Sequence, residues 1–548
     1  MDYYYTITLS LIVILLATLL LKLKLGKTKL PPGPKPWPII GNIHMLGDKP
    51  HRSVAKLVNK YGPIMSLKLG TVTTIVISSS EVAKEMFLKH DLALSSRMFP
   101  DASRETNHDK LSMVWLPVGP KWRNLRKIVM VQLFTNQRLD ASQGIRQKKV
   151  NDLVEHGRVC CEKGLPVDIG KAGFTTSLNL LSNTLFSMDL ASHDSLYSQE
   201  FKDLVCHIME EIAVPNVSDF FPVLRHLDLQ GIRKKTRGHF EMMLGIFEKI
   251  IDQRVKDKSD GAQNDVLDSL LQPVNDNELS LDDVKHLLMD IFVAGTDTTS
   301  NALEWAMTEL LRNPGKLAKA QNELDQVVGK NNGPIQESDI SKLPYIQAVV
   351  KETMRLHPPG PFLIPHKADK DVELCGYIVP KNAQIWVNIW SIGRDSNVWP
   401  NALLFSPERF LESEVDMKGR DFELIPFGSG RIGYLKILLT RPQENPPFKY
   451  MYRFGDSISD TGNLVIENPI RGGAVPVYPY GESIRRPMCR CSDGLLMVDD
   501  FALSFNMPLL TPYLARGGNF SHGANFAVAG STALDAQTLL KYETFSVF

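Results

Sequence analysis

From Leu281 to Asn313 the chain runs without a proline, with apolar residues at helical spacing. Ser280 stands before the segment as an N-cap, Asp282 and Asp283 suit the positive end of a helix dipole, and Pro314-Gly315 closes it. The pattern predicts a helix of about 50 Å, enough to cross a whole domain. No other feature restricts the fold as strongly, because the rest of the body must pack around such a rod. Its middle reads Ala294-Gly295-Thr296-Asp297-Thr298-Thr299. Glycine loosens a helix, and Thr and Asp compete for its backbone hydrogen bonds. A local conflict of this kind marks either a tolerated kink or a site.

Around the rod most segments show helical periodicity broken by Pro and Gly. Thr71 to Ser79 is β-branched and predicts a strand, followed by a helix from Glu81 to His90 with Ser80 as its N-cap. Gln384 to Trp390 predicts another strand, and Cys375-Gly376 a turn. The fold class is mainly α with a small β part. The 548 residues are 43% hydrophobic and 22% charged, an ordinary globular mix. Net charge is +1, so no surplus of cations exists for a nucleic-acid partner. The 6 cysteines are too few for a disulfide scaffold, and Cys489-x-Cys491 is not a zinc spacing.

Thr6 to Leu21 carries no charge, and Lys22, Lys24, Lys27 and Lys29 follow it. The run just spans a thin bilayer such as the endoplasmic reticulum. Charge after the apolar run argues against a cleaved signal, and the positive-inside rule leaves the body facing the cytosol. The expectation is a single-pass anchor over residues 1–24 in the endoplasmic reticulum membrane; a buried core helix is the alternative. Pro31-Pro32-Gly33-Pro34-Lys35-Pro36 then reads as a stiff spacer or an ordinary loop.

Five separated motifs agree in order: Trp122-Arg123-Asn124-Leu125-Arg126-Lys127, Ala294 to Thr299, Lys351-Glu352-Thr353-Met354-Arg355, Pro407-Glu408-Arg409-Phe410 and Pro426-Phe427-Gly428-Ser429-Gly430-Arg431. With this spacing the chain resembles the cytochrome P-450 family, the haem-thiolate monooxygenases, over about residues 30–431. Trp115-Leu116-Pro117 and Leu363-Ile364-Pro365 look like the plant terpenoid and phenylpropanoid hydroxylases. Glu352 and Arg355 share a helix face, and Arg409 can join them; the family uses this triad structurally, whereas spacing alone allows an exposed pair. Trp122 and Arg126 lie i, i+4, and by resemblance donate to a haem propionate; the alternative is a surface Arg beside an inward Trp. Asp297 and Thr298 resemble the pair that relays protons to iron-bound dioxygen, while Ala294 and Gly295 let the helix approach the haem. The resemblance implies oxygen insertion into a small apolar substrate, with electrons from NADPH through a membrane-bound reductase. Substrate contacts are expected at Phe99 to Leu116 and around Phe362 to Ile364.

The family motif continues beyond Gly430 with Arg and then Cys, the proximal iron ligand. Here those positions are Ile432 and Tyr434, and no cysteine occurs between Cys375 and Cys489. No metal ligand is therefore assigned, and haem binding is an open question. A second pattern follows: Phe454 to Asn463 (FGDSISDTGN), Tyr478-Pro479-Tyr480-Gly481, Arg490 to Gly494, and Gly523 to Gly530. It resembles the plant GDSL esterase/lipase family over about residues 450–540, a partial α/β (SGNH) hydrolase. That resemblance makes Ser457 the nucleophile and the Gly530 N–H an oxyanion donor; a helix N-cap is the alternative for Ser457. The sequence to Phe548 contains neither a Gly-x-Asn-Asp block nor a late Asp-x-x-His pair. The expected organisation is an anchor (1–24), a P-450 body (25–431), a linker (432–453) and a hydrolase fragment (454–548). The readings are an impaired haem monooxygenase, an ester hydrolase, or an inactive joining of two partial genes.

Overall fold

The computed structural model describes residues 29–193, 196–257, 265–275, 278–329 and 335–431, together with two short strands, Met451–Arg453 and Gly523–Asn525. The expected anchor, Tyr434, Ser457 and Gly530 lie outside the described residues. Among the described residues no helix is long and apolar enough to cross a membrane. The chain divides into two compact units, Met1–Leu439 and Thr440–Phe548.

The principal helices of the first unit are α1 (Pro50–Tyr61), α2 (Ser80–Lys89), α3 (Pro120–Leu133), α4 (Gln143–Glu162), α5 (Ile169–Phe186) and α6 (Leu196–Ala213). They continue with α7 (Ile232–Asp257), α8 (Val266–Asn275), α9 (Leu281–Arg312), α10 (Pro314–Val328) and α11 (Pro344–Leu356). The predicted rod is α9, unbroken through its Gly-Thr-Asp-Thr stretch. Ser280 and Asp283 close a reciprocal capping box at its start. Two of the threonines bend back on the helix: Thr296 Oγ1 donates to Phe292 O at 2.7 Å and Thr298 Oγ1 to Ala294 O at 2.6 Å. These bonds give the competing hydroxyls a partner inside the helix, and the helix stays continuous through them.

The main core gathers on α9. Phe292 stacks on Phe186 of α5 at 5.6 Å and packs against Phe247 of α7 at 5.3 Å and Phe201 of α6 at 6.1 Å. Each fully buried ring contributes about 1.5–3 kcal/mol by area alone. Small residues bring α5 and α9 close. A Cβ on Gly173 would meet Leu303 Cδ2 at 3.1 Å, and one on Gly295 would meet Leu181 Cδ1 at 2.9 Å.

The β part is a five-stranded sheet in the order β1-β2-β7-β4-β3. Its strands are β1 (Ile64–Leu69), β2 (Val72–Ile77), β3 (Ser96–Arg97), β4 (His366–Lys367) and β7 (Gln384–Val387). A separate hairpin joins β5 (Val372–Leu374) to β6 (Tyr377–Val379) through the predicted turn, with Cys375 and Gly376 both at positive φ. Several boundaries differ from the sequence reading by one to three residues; two have a clear cause. Helix α2 starts one residue earlier, capped by Ser79, whose Oγ accepts from Val82 N at 3.3 Å. Strand β7 ends at Val387, because Asn388 turns the chain and caps a short helix, Ile389–Ile392. The proline segment lies along β1: Ser66 N donates to Pro32 O at 2.9 Å and Ser66 Oγ to Pro31 O at 2.7 Å. It is a docked strap, held by the backbone acceptors that proline retains.

In the second unit β8 (Met451–Arg453) pairs in parallel with β9 (Gly523–Asn525), with Met451 opposite Gly523. Sequence reading assigned Met451 to Arg453 to a linker. The parallel partner, distant in sequence, makes them a strand instead.

Candidate active site

Helix α9 presents the central residues. Ala294, Gly295, Asp297 and Thr298 are all half-buried, and Thr298 spends its proton on the Ala294 carbonyl. Burial raises the Asp297 carboxyl above its ordinary range; nearby Lys202 and hydrogen bonds from Asn301 and Cys206 pull it back. Asn301 Nδ2 donates to Oδ2 at 3.1 Å, and Cys206 Sγ lies 3.9 Å from Oδ1. A partly desolvated acid linked to polar neighbours can take up and release a proton. The space left by Gly295 points at Leu181 of α5. The structure thus gives this glycine a helix-packing reason.

Helix α3 places Trp122 in the main core, 6% exposed, and the Arg126 guanidinium 5.2 Å from its ring centroid. One helical turn separates them, so the pair holds its cation beside an aromatic face. Sequence reasoning missed a second buried cation. Arg97 of β3 donates to Ile364 O at 2.6 Å and lies 3.0 Å from His366 Nε2 of β4. His366 is bound on its other nitrogen to Leu94 O at 2.7 Å. Desolvation lowers Arg97 to about 10 and His366 well below its ordinary value. The only sequence signal for Arg97 is an arginine inside an otherwise small-residue strand edge.

The Glu352, Arg355 and Arg409 expectation resolves in favour of the buried network. Arg355 grips Glu352 with Nε and Nη2, both at 2.7 Å, and both residues are at most 1% exposed. Arg409 Nε reaches Glu352 at 3.1 Å, and Ser406 N donates to it at 2.7 Å. Arg355 also donates to the carbonyls of Gly393, Ala402 (2.7 Å) and Leu404 (3.2 Å). One carboxylate thereby ties α11 to the loop 393–409. The terminal glycine loop is fastened separately, by Arg431 Nε to Asp91 at 3.1 Å. Of the expected substrate loops, Trp115 and Met113 are buried, while Phe362 packs on Trp386 at 4.7 Å, within the core beside the sheet.

A long central helix bearing an acid and a hydroxyl, and a buried Glu-Arg-Arg lock, define the body of a haem monooxygenase. The chain belongs to the cytochrome P450 family, whose model matches residues 31–432. It is 58% identical over 408 residues to Cytochrome P450 monooxygenase 76AD131 of Lophophora williamsii, covering 74% of this chain and 81% of that protein. It is 52% identical over 432 residues to Geraniol 8-hydroxylase of Catharanthus roseus, covering 78% and 87%. A solved zebrafish cytochrome P450 with progesterone superposes with a TM-score of 0.58 at 26% identity, over 70% of this chain and 86% of that one. A second family model, GDSL-like Lipase/Acylhydrolase, matches residues 451–546.

The family implies haem, and the donors of the described residues fit it in part. The cations of Arg97 and Arg126 suit carboxylate groups such as propionates. The thiols among the described residues do not fit a thiolate-bound iron. Cys160 and Cys161 lie on α4, Cys206 faces Asp297, and Cys375 sits in the exposed hairpin turn beside Glu85. Burial and Glu85 push the Cys375 thiol up to about 11, away from thiolate.

Proposed function

We propose that this chain is a haem-dependent monooxygenase by descent, directed at a small apolar substrate and impaired because Tyr434 replaces the cysteine iron ligand. The observation that carries the reading is the contrast between the two halves of the site. The helix acid and hydroxyl, the cationic anchors and the buried carboxylate lock are in place, while the sulfur donor is absent from the sequence between Cys375 and Cys489. Haem, when bound, supplies oxygen activation; thiolate donation is what favours O–O cleavage. A geraniol-like terpenoid, or a phenylpropanoid of similar size, is the substrate class, supported by the name of the Catharanthus roseus relative. Electrons come from NADPH through a reductase. The apolar run Thr6 to Leu21 anchors the chain in the endoplasmic reticulum membrane with its body in the cytosol. The test is the carbon monoxide difference spectrum of the reduced full chain. No thiolate-type Soret band is expected, and its presence would overturn the impairment. Sequencing a transcript across codons 425–460 separates a genuine joined chain from two mis-joined gene models. A continuous Arg-x-Cys-x-Gly there would restore the intact enzyme.

A second reading, ester hydrolysis, is favoured by the parallel pairing of β8 and β9. It brings the chain just before Ser457 beside the chain that leads to Gly530. On this reading Ser457→Ala is expected to abolish hydrolysis of a p-nitrophenyl ester; unchanged hydrolysis would remove the role.

A further inference from the structure

The residues between β3 and α3, expected to face substrate, are fastened to α9 by a buried polar cluster. His108 and His286 meet Nδ1 to Nδ1 at 2.8 Å. His108 Nε2 lies 3.5 Å from Asp290 Oδ1. Asp290 also accepts from Ser112 Oγ at 2.7 Å and Met113 N at 2.8 Å. All three titratable residues are buried, and Phe240 of α7 packs edge-on against His108 at 5.0 Å.

The geometry limits the protons. Two facing Nδ1 atoms at this distance share a single hydrogen. If neutral His108 supplies it, its Nε2 is bare and faces Asp290 Oδ1 at 3.5 Å, a contact that favours the protonated acid over the carboxylate. If His286 supplies it, His108 carries its hydrogen on Nε2, and Asp290 is a carboxylate. The charge of Asp290 and the tautomers of both rings therefore change together.

We propose that Asp290, His108 and His286 form a one-proton clasp between residues 101–118 and α9, in which release of the Asp290 proton reverses the His108–His286 hydrogen bond and the polarity of the His108–Asp290 contact, and so re-tautomerises both rings. Burial pushes Asp290 up to about 7, holds His286 down at about 4 and keeps His108 well below its ordinary value. The swap therefore falls in the neutral range, and both rings stay neutral across it. The Thr106 backbone also lies against His286, so the change reaches the segment at a second point.

The other charges around the cluster are mostly paired. On α9, Asp283 holds Lys121, and Asp282 shares Lys285 with Glu248. On the segment, Asp101 meets Arg104, Arg225 and Arg233, Glu105 meets Arg233 and Arg237, and Asp109 meets Arg104. Where α6 meets α7, Glu211 holds His239. Lys110 is exposed. Asp219 is the competing acid: burial lifts it to about 6, and it accepts from Asp101 N at 2.6 Å.

The clasp is independent of iron and of the proposed activity. Its test uses the full chain labelled with 15N-histidine, titrated through the neutral range, with His108→Gln and His286→Gln to assign the rings. The ring nitrogens of both residues are expected to exchange protonated and bare character with one shared midpoint near 7. Amide exchange over residues 101–118, corrected for its intrinsic pH dependence, should step at the same midpoint. Asp290→Asn should abolish the step and Asp219→Asn should retain it. One unchanging tautomer in each wild-type ring overturns the proposal, as does a step removed by Asp219→Asn. If Asp290→Asn fails to fold, the wild-type titration decides by itself.

Discussion

Replacing Glu352 by Gln keeps the volume and removes one charge from the most buried ionic site among the described residues. Glu352 accepts from Arg355 Nε and Nη2 at 2.7 Å, from Arg409 Nε at 3.1 Å and from Ser406 N at 2.7 Å. Arg355 is 1% exposed, so its cation cannot recover water. Its remaining acceptors are the carbonyls of Gly393, Ala402 and Leu404. A glutamine can accept only one arm of the guanidinium fork, and its amide hydrogens point at the other. Breaking a buried pair on one side costs about 3–5 kcal/mol, because the surviving charge is stranded. That is a large share of the roughly 5–15 kcal/mol that holds a domain folded. Urea unfolding followed by circular dichroism should show a lower midpoint with an unchanged slope, and limited proteolysis should cut first in residues 393–409. The double variant Glu352→Met, Arg355→Met should cost less than the single one, since the fully buried Arg355 cation goes with its partner and only Arg409, nearer the surface and still bonded to the Pro400 and Leu404 carbonyls, loses its carboxylate. A loss below about 1 kcal/mol for Glu352→Gln, the range of exposed pairs, would refute the reasoning.

Glycine substitutions should rank by what the new methyl meets. Gly393→Ala, whose Cβ would lie 2.5 Å from the Arg355 carbonyl, should destabilise more than Gly295→Ala, which meets the movable end of Leu181 at 2.9 Å; chemical-denaturation midpoints give the order. For Asp219 the folded pKa is raised, so its contribution is full at acid pH and is lost as pH rises through about 6. Wild type should accordingly lose stability relative to Asp219→Asn between about pH 4 and 7, measured as paired unfolding curves; a constant difference would contradict the assignment. Cys206 is held protonated by burial and by Asp297, so Asp297→Asn should speed its alkylation by iodoacetamide at fixed pH, read by mass spectrometry.

The length of α9, its cap and its end were legible because helix propensity, capping and proline are local effects, complete within a few residues. The Glu352–Arg355 pairing was legible for the same reason, being one helical turn apart. Its burial was not, since that depends on Gly393, Ala402, Leu404 and Arg409 arriving from elsewhere. Gly295 shows the limit more sharply. Its presence in a helix announced that something comes close, but only the packing of α5 identified Leu181 as the neighbour. The absence of cysteine between Cys375 and Cys489 and the change of family between residues 432 and 451 are matters of residue identity, so the sequence alone determined them. Tertiary structure alone decided the burial of Arg97, the strand made of Met451 to Arg453 and the imidazole contact between His108 and His286. Each depends on groups far apart in the chain being desolvated together, and no local pattern encodes the distance at which they meet.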